Sequence, residues 1–255
     1  MSLLRMNVVC GKAVYARRKF RPAKPLVLAV FAALFFTGFS LFAQTQESPR
    51  PDALQNYRIG RDLEGRGRMD EAGVYYDEAI RICTEELSRS PSNMDSYTVL
   101  TWAMLRRRRY SEVIRWGEQG LRYNAGDFRI IETMGEAYFY LNDYVRSLAF
   151  MQRYVNAMPR GERASTAYFF MGEVYRNQRK YLHADIAYTT AVTLESSMAL
   201  WWFRLGSVRE SAGEFAAAVE AYERALALNP NYRDAGEGLE RARRQNAAQS
   251  PPAGA

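Results

Sequence analysis

The chain has 255 residues, 48% of them apolar and 25% charged, a composition that can bury a substantial core and excludes a mainly disordered protein. Its net charge of +7 points at first to nucleic acid or a membrane surface, yet residues 1–43 hold Arg5, Lys12, Arg17, Arg18, Lys19, Arg21 and Lys24 with no Asp or Glu. The other basic residues only balance the 28 acidic ones, so a broadly basic body is excluded as well.

Taken in chain order, the N-terminus reads as an export segment. A basic stretch leads into the uncharged run Leu26 to Ala43 (LVLAVFAALFFTGFSLFA), followed by polar residues. As a helix rising about 1.5 Å per residue, this run is only marginally long enough for a bilayer core of about 30 Å. Two readings stay open: a signal peptide cut after Ala43, or an uncleaved transmembrane anchor over 26–43. In both, the positive-inside bias keeps the basic end in the cytoplasm and sends everything after Gln44 across the membrane, to a periplasmic or other extracytoplasmic place. Met6 is an alternative start. Cys10 has no apolar run before it and makes a poor lipid-attachment site, and Cys83 is then the one exported cysteine, expected as a small buried helix residue.

Residues 44–52 read as a linker, and a self-similar array begins after it. Ala218, Tyr222 and Ala225 form one helical stripe, and stepping back 34 residues finds Ala184, Tyr188 and Ala191, while Gly206 steps back to Gly172. Five units line up: 53–86, 94–127, 128–161, 165–198 and 199–232. The first helix of each carries Ile59-Gly60, Leu100-Thr101, Met134-Gly135, Met171-Gly172 or Leu205-Gly206. In the second helix the small, large, small stripe reads Ala72, Tyr76, Ala79; Val113, Gly117, Gly120; Ser147, Met151, Tyr154; Ala184, Tyr188, Ala191; and Ala218, Tyr222, Ala225. Gly and Ala permit close helix approach and the large residue fills the crossing. Asn229-Pro230 stops the last second helix, because proline lacks the amide hydrogen and pushes its predecessor out of the α region.

The pattern resembles the tetratricopeptide repeat family, helix-turn-helix units of 34 residues, over about 180 residues. The resemblance implies an all-α fold, a right-handed α-solenoid of five units. Three departures carry expectations. Unit two, with Thr101, Val113, Gly117 and Gly120, is the weakest match; Tyr154 stands where alanine is usual and is expected to widen the helix spacing. The step from unit one to unit two is 41 residues (53 to 94), and Ile80, Cys83 and Leu87 continue one apolar face, so an elongated second helix is expected there. Residues 232–244 read as a capping helix that closes the array, which spans 53–244, and 245–255 as a disordered tail.

No catalytic, cofactor-binding or metal-ligating constellation is visible. His183 is the one histidine and falls on a helix surface; there is no phosphate-cradling glycine loop, dinucleotide fingerprint or nucleophile elbow. The run LRRRRY, Leu105 to Tyr110, reads as arginines closing the first helix of unit two, where positive charge offsets the helix dipole, with a patch for an acidic partner or lipid headgroups as the alternative. The family resemblance implies a concave groove lined by first helices. Carried onto this chain, its positions are Tyr57 and Arg61; Trp102, Leu105 and Arg106; Arg129, Glu132, Glu136, Phe139 and Tyr140; Phe169, Glu173, Arg176 and Asn177; and Leu200, Phe203, Ser207 and Glu210. The Lys-then-Asn pairing by which some family members clamp a C-terminal carboxylate is missing from consecutive units. The expected function is a non-enzymatic protein-protein interaction scaffold of the cell envelope, holding a peptide or partner protein in the groove and touching the membrane only through its N-terminal segment. The alternative is a structural subunit of a larger envelope assembly, contacting neighbours through its convex face or its ends. No nucleic-acid partner is expected.

Overall fold

Every expected hairpin forms. The computed structural model describes residues 52–249, so the export segment over 1–43 and the linker up to residue 51 lie outside the described residues. Within them are eleven α-helices and no strand. Unit one is α1 (Ala53–Gly65) with α2 (Met69–Arg89), and unit two is α3 (Met94–Arg106) with α4 (Tyr110–Tyr123). Unit three is α5 (Phe128–Tyr140) with α6 (Tyr144–Ala157); unit four is α7 (Ala164–Asn177) with α8 (Tyr181–Leu194). Unit five pairs α9 (Ala199–Ala212) with α10 (Phe215–Leu228), and α11 (Arg233–Gln249) follows.

Local chemistry sets the helix starts. The carboxylate of Asp52 accepts the amide hydrogen of Gln55, and the side chains of Asn93 and Asp127 do the same for Asp95 and Ser96 and for Arg129 and Ile130. These are N-caps on the first helices of units one to three, each satisfying amide groups that the helix leaves orphaned. Between the two helices of each hairpin sits one left-handed residue: Gly67, Arg108, Asn142, Arg179 and Gly213, with φ of 76, 57, 61, 58 and 82°. All five fall seven residues after the small first-helix position. The turn geometry therefore recurs even where a non-glycine residue must carry a modest conformational cost.

Inside each hairpin the packing rests on a ring laid against a glycine. A Cβ built on Gly60, Gly172 or Gly206 would stand only 2.7, 2.6 or 2.8 Å from ring carbons of Tyr76, Tyr188 or Tyr222. Those tyrosines are 3, 0 and 0% exposed. Each hydroxyl donates a hydrogen bond to a first-helix glutamate: Tyr76 to Glu64 at 2.6 Å, Tyr188 to Glu173 at 2.5 Å and Tyr222 to Glu210 at 2.6 Å. Burying such a ring removes on the order of 150–250 Å² from water, an upper bound of about 4–6 kcal/mol, and the bonded hydroxyl avoids the cost of a stranded polar group. In unit three Met151 takes the ring's place against Gly135.

Unit two inverts the arrangement. Its first helix carries Thr101, fully buried with its hydroxyl donating to the carbonyls of Tyr97 and Thr98, and its second helix carries glycines. The space over Gly117 is filled by Met134 and Ile130 of the next unit, and that over Gly120 by Ile130 and Tyr97. The weak match is thus a relocation of volume. Tyr154, at the position expected to be small, is 1% exposed and lies under the α6–α7 connection, residues 158–163, where its hydroxyl accepts the amide hydrogen of Arg163 at 3.2 Å. The loop folds over the ring.

Helix α2 runs 21 residues, and Ile80, Cys83 and Leu87 are all buried along it, as the apolar face requires. Burial pushes the Cys83 thiol up to about 12, so it stays protonated and behaves as a small apolar residue. The arginine run sits differently from its expected place at a helix end: only Arg106 belongs to α3, and Arg107, Arg108 and Arg109 make the turn. Arg107 reaches Asp77 of unit one at 2.9 Å and Arg109 pairs with Glu112, so the run ties neighbouring elements. At the C-terminal end α11 buries Ala235, Gly238, Leu239 and Ala242, packs on α9 and α10, and ties Arg241 to Glu210 at 2.9 Å. It continues to Gln249, five residues past the expected boundary at 244, so residues 245–249 of the expected tail are helical.

Helices touch only near neighbours in sequence: each packs on the next, and first helices also meet one another, α1 with α3, α3 with α5, α5 with α7 and α9 with α11. That pattern is a one-dimensional stack, and it places the first helices on the inner side of its curve. We predict that Gly206→Ala lowers stability by about 1–3 kcal/mol in urea unfolding, because the added methyl meets the ring of Tyr222. Gly65→Ala, at a helical position with open space around it, is expected to be neutral or to stabilise by up to about 1 kcal/mol.

Candidate functional site: the inner face of the first helices

Eight of the residues expected in the groove converge on one cavity, Leu105 and Arg129 among them. Tyr57 and Arg61 from α1, Trp102 and Arg106 from α3, and Glu132 and Glu136 from α5 line one cavity of about 640 Å³. The rings of Tyr57 and Trp102 lie 5.5 Å apart, with Leu105 beside them. Phe128, Tyr154 and Met158 close another wall, and the α6–α7 connection contributes Arg160, Gly161, Glu162 and Arg163.

The remaining expected residues divide between surface and packing. Tyr140 is 46% exposed and stacks on Tyr110 at 4.7 Å, with Phe139 and Phe170 edge-on to it. Phe139 itself is half-buried against Phe170 and Tyr144. Phe169 stacks on Trp201 at 5.1 Å, and Phe203 packs between Tyr222 and Tyr232. Glu173 is buried and committed: it accepts from Tyr188 and from Arg176 at 2.8 Å, and pairs with Arg204 at 3.0 Å. Phe169, Phe203, Glu173 and Arg176 therefore mainly join units four and five to their neighbours, and the open part of the groove lies over units one to three.

Charge on the cavity floor is tightly arranged. Glu132 and Glu136 expose only 4 and 9% of their side chains, one turn apart on α5, and Arg163 reaches across both, meeting Glu132 at 2.8 Å and also contacting Glu136. Burial, then the neighbouring Glu136, pushes the Glu132 carboxyl well above the usual carboxylate range against the pull of Arg163. Arg163 is held more firmly charged: burial opposes its charge, and Glu132 and Glu136 outweigh it. Two carboxylates under one guanidinium retain a proton more readily than either alone would. Periodicity could not reveal Arg163, which stands in the gap between units three and four. The traces in sequence were that gap itself and Tyr154 at a small-residue position.

His183 is exposed, its ring 5.3 Å from Tyr175, and no group of His, Cys, Asp and Glu among the described residues is arranged to hold a metal ion. No helix among the described residues is long and apolar enough to cross a membrane.

A curved stack of helical hairpins with an aromatic, charged inner face defines a class of proteins: α-solenoids that bind along an extended concave surface. The chain carries tetratricopeptide repeats. Models of that repeat match residues 165–197 and 199–232, units four and five, each of which keeps the glycine, the tyrosine and both alanines of the pattern. Among solved structures, a thermophilic tetratricopeptide-repeat protein of Thermus thermophilus is similar at 18% identity and a TM-score of 0.57, covering 74% of this chain and 98% of that one. MamA of Desulfovibrio magneticus RS-1 is similar at 17% identity and a TM-score of 0.55, over 71% of this chain and 96% of that one. YrrB, a tetratricopeptide-repeat protein with an unusual peptide-binding site, is similar at 18% identity and a TM-score of 0.52, over 76% and 95%. At these identities the likeness is one of fold. A comparison with curated proteins found no match.

Arg163→Ala leaves the two carboxylates facing each other without a cation. Breaking a fully buried pair costs about 3–5 kcal/mol; with 45% of the Arg163 side chain exposed, about 1–3 kcal/mol is expected at neutral pH. The sign with pH follows from a folded-state pKa raised above the unfolded one. The loss is largest above that raised value and shrinks as pH falls toward the unfolded carboxylate range near about 4.3, where protons neutralise the pair. Urea midpoints of wild type and variant measured across pH 4–8 check this.

Proposed function

We propose that this chain is a non-enzymatic interaction scaffold of the cell envelope that holds a peptide or a segment of a partner protein along its inner face. One observation carries the reading: Trp102 lies half-buried on Tyr57 in a walled cavity with arginines around it, on the face where first helices meet. Trp, Tyr and Arg are the side chains that concentrate binding energy at protein interfaces, and a ring pair already held in place loses little entropy when a partner arrives. The stacked first helices supply an extended inner surface, which supports binding.

The envelope location rests on the leader. In this proposal the basic residues before Leu26 stay in the cytoplasm, and the array is carried across, either released by cleavage near Ala43 or anchored by residues 26–43. Sequencing the N-terminus of the protein isolated from cells separates the two, and protection of the array from added protease in intact cytoplasmic-membrane spheroplasts counts against export.

A second reading, a structural subunit meeting neighbours through its outer face, is favoured by a different observation. Val145 on α6 and Leu182 and Ile186 on α8 are 79, 71 and 60% exposed on second helices, although scattered exposed apolar residues are common. Affinity capture from envelope extract distinguishes the readings. Trp102→Ala is expected to weaken retention of the captured partner at least tenfold with the fold intact by circular dichroism, in keeping with an anchor of about 2 kcal/mol. Loss on Leu182→Asp with Ile186→Asp, and none on Trp102→Ala, favours the structural subunit instead.

A further inference from the structure

The inner cavity carries a charge imbalance that its own packing leaves over. Five arginines line it, and three are committed: Arg106 to Glu64 at 3.5 Å, Arg129 to Asp127 and Asp95 at 2.8 Å each, and Arg163 to Glu132 and Glu136. Arg61 and Arg160 have no carboxylate partner among the described residues. Arg61 has only the hydroxyl of Tyr57, at 3.3 Å, and lies over its ring, 6.0 Å from the centroid. Of the acidic lining residues only Glu162 lacks a basic partner, since Glu132 and Glu136 lie beneath Arg163 and are all but closed to solvent. An entering segment therefore meets an excess of guanidinium groups around the Tyr57–Trp102 pair.

We propose that the occupant of this groove is an acidic segment of a partner protein, its carboxylates taken by Arg61 and Arg160 and an apolar side chain laid on Trp102. The proposal rests on the groove reading above and adds the chemical class of its ligand. Guanidinium groups are weakly hydrated and present paired donors that match a carboxylate, and between low-dielectric walls that match is stronger than in open water. A basic segment meets Arg61 and Arg160 unpaired, and the two carboxylates that would receive it are already covered. A nucleic-acid strand needs basic groups spaced along a face, whereas the other arginines here are neutralised by neighbours.

The test uses the full chain as purified from cells and three labelled peptides sharing one Leu- and Phe-containing frame, with Glu, Gln or Lys at the other positions, measured by fluorescence anisotropy. The Glu peptide is expected to bind about tenfold or more tighter than the Gln peptide and tighter still than the Lys peptide, with the preference falling as salt rises. Arg61→Glu combined with Arg160→Glu, both at exposed positions, is expected to reverse the order, and Trp102→Ala to weaken all three. Sensitivity to Trp102→Ala with no acidic preference, or with a preference that the double reversal leaves unchanged, overturns the acidic class and leaves the groove standing. Binding insensitive to all three substitutions, or a Glu peptide weaker than about 1 mM, overturns both. A single-stranded oligonucleotide that displaces the Glu peptide at equal concentration overturns the choice of a protein ligand.

Discussion

The contact on which the rest of this protein depends is a side chain lying flat against a glycine. In units one, four and five a second-helix tyrosine occupies the volume that a Cβ on the facing first helix would need, and its hydroxyl ends on a first-helix glutamate. The ring sets the distance between the two helices of the hairpin, and the hydroxyl sets their register. Because Gly238 of α11 meets the same ring of Tyr222 from the other side, the device also seats the closing helix. Unit three makes the contact with a thioether, and unit two turns it around. A stack tolerates such exchanges as long as each crossing is filled, since neighbouring hairpins supply the missing volume.

A groove follows from this packing without being built for itself. Once second helices are held outside and first helices meet inside, residues one and two turns apart on α1, α3 and α5 face a common space. Tyr57, Trp102 and Glu132 arrive there from three units. Arg163 then closes the floor from the connection between units three and four, and its link to α5 makes the inner surface of unit three depend on that connection. Charges that look like surface decoration in sequence become ties between units: Arg107 to Asp77, Arg209 to Asp185 and Arg241 to Glu210 all cross from one helix pair or helix to another. Against that background Arg61 and Arg160 line the cavity with no carboxylate partner among the described residues.

Binding along such a surface asks for little reorganisation. Rings along the inner face already pack on one another, Trp102 against Tyr57 and Tyr140 on Tyr110, and the carboxylates of Glu132 and Glu136 already face Arg163. A partner segment then supplies most of the ordering cost itself, which suits a scaffold that receives extended or flexible ligands. In the proposed arrangement residues 1–43 act as an export leader and put that surface outside the cytoplasm.

What the sequence by itself determined was the repeat: hairpin number, the start of each unit to within a residue, the long α2 over Ile80, Cys83 and Leu87, and a terminal helix to cover the last unit. These are legible because they depend on spacing along the chain, where small, large and stop residues recur in step. The groove positions borrowed from the family resemblance were reached in part, with Tyr57, Trp102, Arg106, Glu132 and Glu136 meeting in one cavity. Only the tertiary structure decided which aromatics stay open and which are consumed, that Glu173 is held by Tyr188, Arg176 and Arg204, and that Arg163 stands over Glu132 and Glu136. Those outcomes depend on distances between units, and a residue in an irregular connection such as 158–163 has no periodic position from which its reach could be read.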